Sequence, residues 1–496
     1  MPLILPGNVG SATAATTYSI DNSCRFNDDD TPKLSRDFGS DGSLVACTIN
    51  VWAKLGAPPT GTKNILWTYV SGTNANLKFG GESGLGEIHF YSNRTGESPA
   101  EPELLTNTFH RDVSAWYNIH AVWDSANGTE GDRMRLYLNG TRLTDFHATT
   151  AYPQSNGDFG LFNYSDGART INVSNKPYGG ANHFDGYLAN IIVCDGQTYE
   201  PTKFGEFDSD SPTIWKPIDP SEQSLTFGTH GFWLDFADSS ALGNDVSGNN
   251  NDFTVTNLAA ADQASDSPTN NFCVMNPLDN FKNAATFSEG NCKLVTASSP
   301  YYYNTGTFGL SSGKWYYECK VASAAPSDYH LIGIAGELGA GTAGDAELGG
   351  TGTYSYGYHG NNGKYRSDVP TGGGAGYAYG ATYSTSIIGV YIDLDNNKLY
   401  FAKDGAIQNS GTGISLGTAP PHGVFYPAGG EQSNSGSATL EFNFGGCPAF
   451  AISSGNTDGT YGNFEYSPND GGGSSFDSAA KNFLAICSAN LGSDGG

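Results

Sequence analysis

Positive charge is scarce in this 496-residue chain: 24 Lys and Arg stand against 50 Asp and Glu, a formal net charge of −26. A surface of that sign repels phosphate backbones and argues against nucleic acid as a partner. Cysteine pairing is missing as well. The eight cysteines are scattered singly with no C-x-x-C, and the nine histidines contain no H-x-x-x-H, so zinc and dithiol redox sites have no frame. Long apolar runs are absent, and no window approaches the ~18 residues of a membrane helix. The N-terminal Met1-Pro-Leu-Ile-Leu-Pro6 has no basic stretch, is broken by two prolines and is too short for a signal peptide. These absences lead us to expect a soluble chain with no membrane insertion, assembled in a cytoplasm.

What is plentiful is glycine and aromatic side chain: Gly 67, Tyr 28 and Phe 27, with only 15% charged residues. That composition describes strands with aromatic faces joined by tight turns rather than helices. Ile388 to Gly405 is the clearest case. Val390, Ile392 and Leu394 alternate with other residues, Asp395-Asn-Asn397 can supply positive φ, and Leu399 and Phe401 resume the period of two before Lys403-Asp-Gly405 turns the chain again. Met134-Arg-Leu-Tyr-Leu-Asn-Gly140 repeats the design in the first half, with Asn139-Gly140 at the turn. Length alone allows two or three domains. The fold class we expect is therefore all-β, two tandem antiparallel β-sandwiches. Cys194 and Cys319 fall inside strand patterns, where buried reduced thiols are the natural reading.

Taken in order, residues 1–18 read as an N-terminal arm. Short strands follow, including Leu44 to Trp52, Asn64 to Val70, Glu87 to Tyr91, Trp116 to Asp124 and His183 to Val193. Trp116-Tyr-Asn-Ile-His-Ala-Val-Trp-Asp124, the Leu136-Tyr-Leu-Asn-Gly140 hairpin and Phe184-Asp-Gly-Tyr-Leu-Ala189 resemble the laminin-G-like, concanavalin A-like jelly rolls, which implies such a domain over 19–220. The run from Phe184 through Gly231-Phe-Trp-Leu-Asp-Phe236 to Asp245-Val-Ser-Gly-Asn-Asn-Asn-Asp-Phe-Thr254 resembles one shared by virion proteins of marine bacteriophages. Residues 221–282 read as a strand-containing connector. Lys314-Trp-Tyr-Tyr-Glu-Cys-Lys-Val321, the Ile388 to Gly405 hairpin and the closing Asn443-Phe-Gly445 are similar to the SPRY family, implying a bent sandwich over 283–452 that binds partners through loops at one end. Residues 453–496 form a C-terminal segment that packs back as a strand or short helix.

Chemistry finds little support. Glu206, Asp208 and Asp210 alternate as paired carboxylates would, but Gly205, Ser209, Ser211 and Pro212 make the stretch a solvated loop. Asp393 and Asp395 belong to the hairpin's polar side. Gly413-Ile-Ser-Leu-Gly417 matches a nucleophile elbow without the helix it needs, and Gly339 to Gly344 matches G-x-G-x-x-G with the same deficiency. No residue is expected to be catalytic, and no cofactor is expected. The oxygen-rich turn with Asp124, Asn127, Glu130 and Asp132 is a calcium candidate, against the plainer reading of a solvated turn.

For binding, Tyr356, Tyr358, His359, Asn361, Asn362 and Tyr365 offer rings and amides in one loop-flanked stretch, and Asn163 with Asp166 forms a second candidate. The opposing reading buries the tyrosines in the core. The resemblances imply a non-enzymatic bacteriophage virion structural protein, a tail or head fibre or spike at the virion surface. It would be a homo-oligomer, as a trimer, anchored to other virion proteins by its arm and touching a host-surface glycan or protein. A purely structural decoration protein and a glycan depolymerase are the alternatives.

Overall fold

The computed structural model describes Tyr18–Asp494 apart from residues 59–60, 71–72, 82–83, 95–98, 163–169, 177–181, 280–284, 297–301, 325, 337–347, 351–353, 368–375, 418, 433–435, 470–475 and 477–481. The sequence-expected arm, Asn163 and Asp166, and Gly339 to Gly344 lie outside the described residues. The chain divides between Asn270 and Asn271 into two units, each built on two large sheets in the all-β, antiparallel manner the residue pattern predicts, with a two-stranded ribbon of Gly205–Phe207 and Trp215–Pro217 added in the first.

In the first unit one sheet runs in the order Thr141–Arg142, Met134–Leu138, Trp116–Asp124, Ala46–Leu55, Gly186–Asp195, Ser23–Phe26 and Gln263–Ala264, with Phe232–Leu234 also pairing to Gly186–Asp195. The other runs Thr254–Thr256, Lys33–Asp37, Thr170–Val173, Lys63–Val70, Thr73–Phe79, Ile88–Asn93 and Glu103–Leu105. Strand alternation gives each sheet one apolar face. Ile119, Ala121 and Trp123 from the first and Leu66, Leu77 and Phe90 from the second meet in one buried cluster. The Met134 hairpin closes as its sequence demands, with Asn139 at φ 47° and Gly140 at φ 73°. A Cβ on Gly140 would lie 2.2 Å from the Trp215 ring.

The two sheets differ in what covers their outer faces. All ten residues of Gly186–Asp195 are buried. Ile192 and Cys194 point away from the main core into a second cluster with Phe204, against which Tyr199, Leu225, Phe227 and Trp233 pack. Side chains from 199 to 233 thus cover the outer face of the Gly186–Asp195 strand.

Residues 221–264, which the sequence suggested as part of a connector, instead supply strands to both sheets. The cause is visible at Asp266. Its carboxylate takes the Lys54 ammonium at 2.6 Å, with both side chains at most 1% exposed, and accepts from the Trp116 indole at 3.0 Å. Two buried charges hold only in each other's company, so this pair fixes the segment to the sandwich.

The second unit has one sheet in the order Thr286–Ser288, Lys293–Val295, Thr439–Asn443, Lys314–Ser323, Ile387–Asp393, Lys398–Lys403 and Ala406–Ile407, and another in the order Tyr302–Thr305, Tyr426–Glu431, His330–Ala335, Tyr356–His359, Lys364–Ser367 and Gly376–Ala378. The Ile388 to Gly405 hairpin pairs in register from Ile388↔Lys403 to Asp393↔Lys398, turning through Asn397 at φ 52°. The C-terminal segment does pack back in both forms. Leu484–Ala485 adds in parallel to Lys314–Ser323, and Ser488–Asp494 is a short helix. All eight cysteines are buried and none is in a disulfide.

Candidate functional site

Strand geometry decides first among the residues that the sequence nominated. Tyr356 and Tyr358 are two apart on one strand, so both rings point the same way, and that way is the core, where they are 1% and 0% exposed. Their hydroxyls are engaged as well. Tyr356 accepts from the Gly417 N–H at 2.7 Å, and Tyr358 donates to the Ala381 carbonyl. His359 is buried with Nε2 2.9 Å from the Gln432 amide oxygen, and burial pushes its pKa down to about 4. A neutral imidazole donating to an amide is a structural contact. These three residues do not offer surfaces to a ligand.

Asn361 and Asn362 are exposed, the first donating to the Ser327 carbonyl at 2.6 Å, and Tyr365 is half-buried in a stack with Tyr377. Tyr329, whose ring lies 5.5 Å from His359, joins them at this end of the sheet.

The two aspartates among the calcium candidates are taken up by arginines, and Asn127 turns its amide N–H, not its oxygen, to Asp124. Asp124 takes Arg135 at 3.3 Å and Asn127 at 3.1 Å, Asp132 takes Arg142 at 2.7 Å, and Glu130 is exposed. Among the described residues no group of three or more His, Cys, Asp or Glu is arranged to hold a metal ion. Glu206 and Asp208 converge on Lys216, at 3.3 and 3.6 Å, and Asp208 also accepts from the backbone N–H groups of Asp210 and Ser211. A hollow of about 190 Å³ at the sandwich edge, between Leu104 and Met134, has Arg135 and Arg142 on its wall, both already bound to acids.

The outer face of the seven-stranded sheet is different. Registers across the sheet run Thr254↔Ser35, Ser35↔Asn172, Asn172↔Trp67, Trp67↔Asn76, Asn76↔Tyr91 and Tyr91↔Glu103. Residues directly opposite in an antiparallel pair share a face. One transverse row of seven side chains, all polar or aromatic, therefore crosses every strand, and at ~4.8 Å per strand it spans roughly 29 Å. A parallel row of Thr170, Tyr69, Asn74 and Asn93 lies beside it.

The centre of the first row is buried without being satisfied. Trp67, Asn76 and Asn172 are 7%, 3% and 3% exposed, yet among the described residues Trp67 Nε1, Asn76 Oδ1 and Asn172 Oδ1 have no hydrogen-bond partner. Each such group costs on the order of 1–3 kcal/mol unless something answers it. Lys78 and Lys176 stand over the Trp67 ring, their ammoniums 5.0 and 5.6 Å from its centroid. At the row's end His89 Nε2 meets Glu103 at 2.8 Å. Burial holds His89 below its usual range, and the bond to His89 holds Glu103 down, so a neutral imidazole donates to a carboxylate. Rings, amides and a few charges on a rigid sheet can hold a polyhydroxylated ligand.

Sequence reasoning missed this row. It marked the strands holding Trp67 and Tyr91, but not Lys33–Asp37, Thr73–Phe79 or Thr170–Val173. The available signal was the alternation in Thr73-Asn-Ala-Asn-Leu-Lys-Phe79, where Asn74, Asn76 and Lys78 share a parity.

No protein-family model matches this chain. Over 137 residues it is 32% identical to Ran-binding protein 9 of Danio rerio, covering 27% of this chain and 20% of that protein. It is 31% identical over 146 residues to Ran-binding protein 9 of Xenopus tropicalis, covering 29% and 24%. The chain thus spans about a fifth to a quarter of the length of these curated relatives. Among solved structures it is similar to the SPRY domain of human HERC1, with 12% identity, a TM-score of 0.27 and coverage of 36% of this chain and 99% of that one. It is also similar to a putative carbohydrate binding protein from Bacteroides ovatus, with 13% identity, a TM-score of 0.30 and coverage of 49% and 61%. TM-scores below 0.5 leave these likenesses without weight for function.

Proposed function

We propose that this chain is a non-enzymatic binding protein whose first unit holds a glycan on the outer face of its seven-stranded sheet. The row through Asn172, Trp67 and Asn76 carries the reading, because two buried amide oxygens and an indole N–H without partners among the described residues are what sugar hydroxyls can answer. Glu103 is the row's single carboxylate and is tied to His89, which supports binding over hydrolysis by a carboxylate pair. The exposed loop end of the second unit, with Tyr329, Asn361 and Asn362, would serve a second contact with glycan or protein.

The setting we propose, from the sequence resemblance, is the exterior of a bacteriophage particle. There the chain would be a fibre, spike or decoration on tail or head, anchored by residues 1–18 and assembled as a homo-oligomer, a trimer in our reading. Multivalency would let weak single contacts hold a host surface.

A glycan array probed with the full chain and with Asn76→Ala and Trp67→Ala tests the binding claim. Binding by the parent that falls about tenfold or more in the variants is the expected result. An array with no glycan bound would leave a purely structural role. Release of oligosaccharides from a bound polymer would convert the reading to a depolymerase.

A further inference from the structure

Beside the centre of the row, over Trp67, the local charge is opposite in sign to the charge of the protein. In a chain of net charge −26, two lysines converge on one indole at the middle of the face. Among the described residues neither ammonium forms a salt bridge, and the nearby carboxylate of Glu103 is already bound to His89. Burial first, and then the charge of Lys176, depress Lys78 to about 8, so the Lys78 ammonium is held where loss of water and a neighbouring cation both disfavour it. Lys78 lies two residues from Asn76 on the same strand face, and among the described residues the amide oxygens of Asn76 and Asn172 are unanswered.

Resting on the glycan reading above, we infer that the ligand of this face is an acidic glycan. A carboxylate or sulfate group of the sugar would seat between Lys78 and Lys176, and neighbouring hydroxyls would reach Asn76, Asn172 and the Trp67 N–H. Two cations suffice for one such group in a site partly shielded from water. They are too few to hold a polyphosphate against the field of the whole surface, which turns the choice away from nucleic acid. The row of polar and aromatic side chains, roughly 29 Å long at the spacing of strands and closed at one end by a Glu103 already bound to His89, suits a repeating chain rather than a single small anion.

The test measures binding of the full chain to a polyuronate, a sulfated polysaccharide and a neutral dextran of matched length, at low and moderate salt. Comparing the two acidic polymers separates a carboxylate from a sulfate as the source of the charge. The parent should bind at least one acidic polymer about tenfold more tightly than dextran, and K78Q/K176Q should lose that preference while K78R/K176R keeps it. Equal binding of acidic and neutral glycans, or full acidic preference in K78Q/K176Q, would overturn the acidic-ligand inference and leave glycan binding standing. Failure of every glycan to bind the parent would instead overturn the reading it rests on. Should K78Q/K176Q not fold, lysine-acetylation footprinting of the parent decides. Protection of Lys78 and Lys176 by the acidic polymer supports the inference, and unchanged labelling of both overturns it.

Discussion

His120 illustrates how a buried side chain has its protonation state chosen for it. Nε2 lies 3.0 Å from the Tyr199 carbonyl and Nδ1 3.3 Å from the Asn50 amide nitrogen, so the neutral ring with its proton on Nε2 satisfies both neighbours. A second proton would face another donor in a dry site, and burial pushes the pKa down to about 3. The folded-state pKa lies below the unfolded value of about 6.5. Its contribution is therefore present above pH ~6.5 and drains away as pH falls toward 3. Stability of the first unit, followed by denaturant titration from pH 7 to 4, should decline, and His120→Gln should flatten that slope while lowering stability at pH 7.

Glu318 runs the other way. Its carboxylate accepts from Tyr316, Asn443 and the N–H groups of Glu465 and Tyr466, yet burial pushes its pKa up to about 7. Its contribution is full below the unfolded value and lost as pH rises through 7, so Glu318→Gln should remove a gain in second-unit stability between pH 8 and 5.

Elements in this protein are held by small polar clasps as much as by their apolar faces. The late strand Leu484–Ala485 docks because Asp458 gathers four donors: the N–H groups of Thr460, Tyr461 and Ala485 and the Asn490 amide, at 2.7 to 3.0 Å. Asp458→Ala leaves those donors unanswered and should cost the second unit about 2–3 kcal/mol, with earlier proteolysis after residue 450 as the readout. At the Asn139-Gly140 turn the left-handed backbone and the Trp215 ring both exclude a side chain. Gly140→Ala should destabilise the first unit by about 1–3 kcal/mol by thermal melting, since it adds strain to overlap.

The two units were drawn by different parts of the chain than the domain-sized resemblances implied. A fragment ending at residue 220 would lose three strands and Asp266, leaving the buried Lys54 ammonium without its carboxylate. Removing one member of a buried pair costs about 3–5 kcal/mol, so residues 18–220 should fail to fold while residues 18–270 give a cooperative transition by circular dichroism. At the same scale the net charge of −26 opposes compaction, and moderate salt should raise the melting temperature of the whole chain.

Local pattern alone carried the fold class, the Ile388 and Met134 hairpins with their turn residues, and the burial of the cysteines. These depend on which side chains alternate and which residues tolerate positive φ, properties of a few consecutive residues. The tyrosines at 356 and 358 were visible as a strand, but whether their parity faced core or solvent waited on the partner sheet. Membership of Asp266 in the first sandwich and the row through Asn172, Trp67, Asn76 and Tyr91 were decided by tertiary structure only. A transverse row is assembled from strands tens of residues apart, and which residue sits opposite which is fixed by pairing register and by the packing of the other face, neither of which is written in any one strand.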